Sequence, residues 1–193
     1  MILFRFLKSN LSHLAFILFA LILFFSMDAR VLMIKGLMGI GLYHVEAPAK
    51  PQGYSGSVPT DLAFRSHDGK LITISEHKGE VYFINFWATW CPPCRAEMPS
   101  INSLSTKIQN KEKVHFIMVD VDNKISNSVK YMKRNSFGLT VYSIESPIPE
   151  YIFSGTLPTT IIVGPKGDIV FQHSGLADYD NFEMLNFINT LSR

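Results

Sequence analysis

Cys91 and Cys94 are the whole thiol complement of the 193-residue chain. They stand two residues apart in Trp90-Cys91-Pro92-Pro93-Cys94. Three chemistries use such a pair. A zinc site needs four ligands. Beyond the two sulfurs they would have to come from His67, His77, His115 or His173, none of which are spaced as a zinc-binding histidine pair. A structural disulfide gains mainly by constraining the unfolded chain, and closing so short a loop gains little. The third chemistry is thiol–disulfide exchange, and the surroundings favour it. The pair follows a continuous β-branched and aromatic run, Val81 to Trp87, and opens a helical pattern. That places Cys91 at a helix N-terminus, where unpaired N–H groups and the helix dipole favour an anion. A thiol there has a lowered pKa, and the thiolate is the species that attacks. Pro92 and Pro93 suit a first helical turn, where a missing N–H costs little, and they stiffen the loop between the sulfurs. In this scheme Cys91 is the exposed attacking sulfur, and Cys94, one turn in, resolves the mixed disulfide.

The elements that must hold this pair can be read from periodicity. Leu62 to Ile74 reads as a hairpin turning at Asp68-Gly69. Val81–Trp87 and Val114–Asp122 read as buried strands, with a helix from Cys94 to about Asn110 between them. A helix over Ser126–Asn135 precedes a third strand, Gly138–Ile144. A hairpin then turns at Pro165-Lys166-Gly167. The chain closes in a helix that Asp178 or Asp180 would cap, with Phe182, Leu185, Ile188 and Leu191 recurring every three residues. Strands alternating with helices, followed by a hairpin and a helix, imply an α/β fold, a mixed central sheet flanked by helices.

Ahead of this domain, which spans 58–193, lies a different composition. Arg5 and Lys8 precede an apolar run from Leu11 to Met27, close to the length of a transmembrane helix. The run ends in Phe24-Phe25-Ser26-Met27-Asp28, a poor cleavage site for a signal peptide. Residues 1–30 therefore read as an uncleaved, single-pass membrane anchor, with a cleaved signal peptide as the alternative. Arg30 and Lys35 balance Arg5 and Lys8, so the charge of the amino terminus tips the orientation toward N-terminus inside. Residues 31–57 read as a juxtamembrane segment and linker. Its first part, Val31 to Val45, is too short and too glycine-broken to span and reads as interfacial or domain-packing; 46–59 is Pro-, Gly- and Ser-rich. The formal net charge of +2 is spread along the chain and gives no footprint for nucleic acid.

Asn85-Phe86-Trp87-Ala88-Thr89-Trp90-Cys91-Pro92-Pro93-Cys94 with Arg95 to Pro99, and later Gly155 to Val170, resemble the thioredoxin-like proteins of the TlpA/ResA type. The resemblance covers roughly Val58 to Arg193. It implies a thioredoxin fold and a membrane-anchored thiol-disulfide oxidoreductase facing the periplasm or cell exterior. It implies a reductant of exported proteins such as apocytochromes c, fed by an upstream membrane dithiol donor, with no cofactor beyond the cysteine pair. It further implies that Pro158 is the family's cis-proline, beside the cysteines. Trp90, Pro92, Pro93, Leu157 and Thr159 would then line the substrate surface. Thioredoxins proper carry a buried Asp where this chain has Asn85, which cannot take a proton. Glu97, one turn beyond Cys94 and matched by a Glu in the anchored relatives, is expected to manage the protons of Cys94; a solvated helix-face carboxylate is the plain alternative. Pro99 would kink the helix. Three rivals remain: a dithiol oxidase or isomerase; a peroxiredoxin, whose pattern wants Thr where Ala88 stands; and a non-catalytic tethering module.

Overall fold

A computed structural model describes residues 2–41, 43–48, 57–74 and 79–193. Residues 49–56, the centre of the expected linker, lie outside the described residues. Twelve elements follow in order: α1 (Ile2–Phe25), α2 (Met27–Gly39), β1 (Ala63–Ser66), β2 (Leu71–Thr73), β3 (Val81–Trp87), α3 (Pro92–Lys107), β4 (Val114–Asp120), α4 (Ile125–Arg134), β5 (Val141–Ile144), β6 (Thr159–Val163), β7 (Ile169–Ser174) and α5 (Phe182–Leu191).

The seven strands form one mixed sheet in the order β2-β1-β5-β4-β3-β6-β7. β3 pairs in parallel with β4, and β4 with β5. Both edges are antiparallel hairpins, β1–β2 and β6–β7, turning at Gly69 and Gly167 with φ of 93° and 80°. These positive φ values suit glycine, which lacks the Cβ that would clash. Central β3 is buried along its entire length, as a strand covered on both faces must be. Its odd residues Val81, Phe83 and Trp87 join the cluster under α3 and α5, and its even residues Tyr82, Ile84 and Phe86 join a second cluster on the other face.

Three expectations are corrected. The cap of α5 is Asn181, whose side chain accepts from the Met184 N–H at 2.8 Å. Asp178 and Asp180 serve elsewhere, with Asp180 paired to Lys107 at 2.5 Å. Phe182 is 77% exposed, and the buried face of α5 is Met184, Phe187 and Ile188. A strict three-residue repeat drifts around a helix of 3.6 residues per turn, so Phe182 falls off the stripe. Third, the apolar run expected to end at Met27 breaks at Ser26, which caps α2 by accepting from the Ala29 N–H at 3.2 Å. Among the described residues, no single helix is long and apolar enough to cross a membrane. His13–Ile22 and Met27–Gly39 meet that test only as a pair bent by 96°.

The segment after the break packs on the domain. Val31 and Met38 of α2 bury against Ala96 of α3, with Ile34 and Leu176 alongside. The Asp28 carboxylate pairs with Arg95 at 2.5 Å. Beyond α2, the Asp178 N–H donates to the Tyr43 carbonyl at 2.7 Å, and Asn181 Nδ2 donates to the Val45 carbonyl at 3.1 Å. Residues 31–41 and 43–45 thus belong physically to the folded unit.

Candidate active site

Cys91 caps α3. Its backbone is extended (φ −88°, ψ 107°), and its Sγ accepts from the Cys94 N–H at 3.2 Å. Pro92 and Pro93 occupy the first turn, where the absent N–H groups had no helical partner to lose. The two sulfurs are bonded at 2.06 Å, with the Cα atoms 5.3 Å apart. Both cysteines are covered: Cys91 keeps 3% of its surface and Cys94 none. The exposure expected of Cys91 is therefore slight. The exposed neighbour is Trp90, at 53%, whose indole N–H donates to Asp122 just beyond β4 at 2.7 Å. Trp87, by contrast, is fully buried and packs on Tyr131.

Glu97 is on α3 three residues past Cys94, and it is not a solvated surface charge. It has no exposed surface. Its carboxylate accepts from Asn85 Nδ2 at 2.8 Å on one oxygen and from the Ala177 N–H at 3.3 Å on the other. Both bonds favour the ionised form, but burial outweighs them and pushes the carboxyl up to about 8. Asn85 also donates to Thr160 Oγ1 at 2.9 Å. This second bond follows from the sheet, because Asn85 of β3 lies directly opposite Thr160 of β6. Tyr179, also fully buried, has its hydroxyl pushed well up by burial and by the Glu97 charge. Two residues further along α3, Pro99 leaves the Arg95 carbonyl without a helical N–H. The Tyr131 hydroxyl donates to that carbonyl at 3.4 Å, with the Arg95 guanidinium 5.2 Å over the Tyr131 ring.

The Leu157–Pro158 bond is cis, as the resemblance implied. The Pro158 carbonyl accepts from the Gly175 N–H at 2.8 Å, which ties the loop to the end of β7. Leu157 is half-buried between the two core clusters. Thr159 is buried, its hydroxyl donating to the Thr156 carbonyl at 2.8 Å and lying 3.0 Å from Ser174 Oγ. Its side chain is thus turned into the fold, unlike the outward group expected of a substrate contact. Sequence reasoning passed over Thr160, Ala177 and Tyr179. Thr160 and Ala177 reach the site only through strand register and a backbone N–H, neither of which leaves a residue-type signal.

The site thus combines a disulfide at a helix start with a buried carboxyl on the same helix. The profile of the redoxin family, described simply as Redoxin, matches residues 55–178. The chain belongs to the redoxin family. It is 30% identical over 142 residues to the thiol-disulfide oxidoreductase ResA of Geobacillus thermodenitrificans, covering 72% of this chain and 80% of that one. To the ResA of one Bacillus cereus strain it is 33% identical over 148 residues, covering 75% and 84%. Among solved structures, it is similar to a thiol:disulfide interchange protein of the thioredoxin family from Chlorobium tepidum. The TM-score is 0.54 at 23% identity, over 72% of this chain and 99% of that chain, a likeness of fold. This redoxin is a thiol-disulfide oxidoreductase with a thioredoxin-like fold.

Proposed function

We propose that this redoxin works as a membrane-tethered reductant of disulfides in exported proteins, apocytochromes c among them. The Cys91 thiolate attacks a substrate disulfide, one substrate sulfur leaves as a thiolate, and a mixed disulfide forms. Cys94, deprotonated, then attacks Cys91 Sγ and releases the second substrate thiolate. Two electrons pass to the substrate, and the Cys91–Cys94 disulfide is left, to be reduced again by a membrane dithiol donor. No cofactor beyond the cysteine pair enters this scheme. The observation that carries it is the dry carboxyl of Glu97, poised near neutrality one turn from Cys94. A group with such a pKa can take the Cys94 proton at working pH and return it. Trp90, Pro92, Pro93 and Leu157 with Pro158 form the substrate surface, Trp90 as its exposed apolar platform. Helix α1 anchors the chain in the cytoplasmic membrane as a single pass, with the redoxin domain on the periplasmic or outer side.

The test is trapping on Cys94→Ser, which should hold exported proteins as mixed disulfides through Cys91, while Cys91→Ser traps none. Reversed behaviour would refute the assignment of the two sulfurs. A reduction potential near that of thioredoxin, about −270 mV, supports reduction, and one near the strong oxidant DsbA, about −120 mV, would make the protein an oxidase.

A further inference from the structure

Helix α2 is apolar on both sides. Its inner face, Val31, Ile34 and Met38, packs on Ala96 and Leu176. A helix resting on a domain in water should turn charged and polar residues outward. The outward residues here are Leu32 (72% exposed), Met33 (49%), Gly36, Gly39 and, at the C-cap, Ile40 (72%). Asp28, the one exposed charge on the helix, is at its first turn and already holds Arg95. One residue upstream ends α1, whose side chains Phe16, Leu18, Phe19, Phe24 and Phe25 are each more than half exposed among the described residues. Any apolar phase that receives α1 therefore begins within one residue of α2. Because the two axes meet at 96°, an α1 that crosses a bilayer leaves α2 lying along the surface of that bilayer.

We propose that α2 is a lipid-surface helix, its outer face in the boundary between headgroups and acyl chains and its inner face on the active-site helix. The inference rests on the reading of α1 as the membrane anchor. Its occupant is a bilayer surface: an interfacial helix buries an apolar face at that boundary, and Lys35, half-buried at its flank, matches anionic headgroups, while the Arg30 guanidinium donates to the Phe24 carbonyl at the end of α1. The contacts on the inner side give this consequences for the chemistry. Ala96 adjoins Glu97, Leu176 adjoins the Ala177 that donates to Glu97, and Arg95 adjoins Cys94. Helix α2 thus ties the redox helix to the membrane plane, presenting the disulfide to a donor embedded in the bilayer.

The experiment places a tryptophan at Leu32 or at Ile40 of the full chain, in anionic vesicles whose acyl chains are brominated near the headgroup end. Leu71→Trp, exposed on β2 at the far sheet edge, is the control, and wild type supplies the background of Trp87 and Trp90. Leu32→Trp and Ile40→Trp should shift their emission to the blue and lose most of it in brominated vesicles, while Leu71→Trp loses none. A chain that floats with the vesicles but whose Leu32→Trp emission is water-like and unquenched overturns the inference and leaves the anchor standing. A blue shift without quenching also overturns it, because a second protein copy would then cover the face. A full chain that does not float with the vesicles removes the anchor reading, and this inference with it.

Discussion

Both faces of the sheet bury an apolar cluster, the larger one under α3 and α5, and among the described residues only that face contains an ionisable group with no exposed surface that titrates near neutral pH. Strand β3 shows the difference within seven residues. Ile84 and Phe86 point into a cluster of aliphatic and aromatic side chains sealed by Phe64, Ile152 and Phe153. Asn85, between them, points the other way, to Glu97 and Thr160. A buried carboxyl is destabilising unless it stays protonated or is well hydrogen-bonded. The α3 face accepts that burden, and the opposite cluster includes no carboxyl, its polar groups being the hydroxyls of Tyr82 and Tyr142. The lesson is that stability and chemistry are partitioned by strand alternation, so that each can be altered with little effect on the other.

Substitutions that should separate the two differ in size. Ile84→Ala removes buried methyl groups from the nonpolar face, and it should cost about 2–5 kcal/mol in denaturant unfolding. The pH dependence of thiol alkylation should be unchanged. A shifted alkylation profile in that variant would show that the two faces are coupled through β3.

Glu97→Gln should do the reverse. Turnover should slow roughly 10- to 100-fold, the low end of acid–base effects, with the fold intact. The carboxyl also ties stability to pH. Its folded pKa of about 8 exceeds its ordinary 4.5, so the folded state holds a proton that the unfolded chain has released. Stability from this group is therefore full below pH 4.5 and declines as pH rises toward 8. The slope approaches about 1.4 kcal/mol per pH unit for one proton. Urea unfolding of the oxidised protein against pH measures it, and Glu97→Gln should flatten it. An unchanged slope would mean that Glu97 does not hold that proton.

Asn85→Leu, which keeps the volume but removes the donor, should have a smaller effect. The lost bond had favoured the carboxylate, so Glu97 should titrate higher still, by about one unit for a hydrogen bond to a charged group. Turnover at neutral pH should fall less than in Glu97→Gln. A carboxyl that titrates lower in Asn85→Leu would mean that water enters the pocket and replaces the amide.

How much of this was legible in the sequence follows the same division. Buried strands declare themselves: Val81–Trp87 is a continuous apolar run, and both hairpins carry glycine where φ must be positive. The cysteine pair could be singled out because residue type and spacing along one chain segment carry the signal, whereas Pro158, and Glu97 in part, were singled out through the resemblance to the TlpA/ResA type. What could not be read is what the fold assembles across segments. The Asn85–Thr160 bond depends on β3–β6 register, and the Ala177 contact on a backbone N–H that any residue supplies. The packing of α2 on α3 was also hidden, since an apolar stretch of that length suits a membrane surface and a protein surface equally. The cap of α5 was misplaced because three acceptors, Asp178, Asp180 and Asn181, lie within four residues, and only backbone geometry chooses among them.

The smallest effect is expected at the exposed rim of the site, where neither face of the sheet is involved. Trp90 presents more than half its surface to solvent, so its ring is available to a partner. Its indole N–H is fixed by Asp122, whose own backbone N–H donates to Asp120 Oδ1 at 3.1 Å and so holds the loop. The ring is thereby ordered before substrate arrives, which lowers the entropy lost on binding. Asp122→Ala frees the indole and should raise KM for a protein disulfide by about fivefold, the equivalent of one hydrogen bond near 1 kcal/mol. The maximal rate, the alkylation profile and the pH slope of stability should not move, because Cys91, Cys94 and Glu97 keep their partners. Asp122→Asn retains an acceptor oxygen and should recover most of the loss. If Asp122→Asn is as impaired as Asp122→Ala, the charge of Asp122 matters to the substrate directly, and the indole bond is incidental. If neither substitution changes KM, Trp90 is not the platform on which substrates dock.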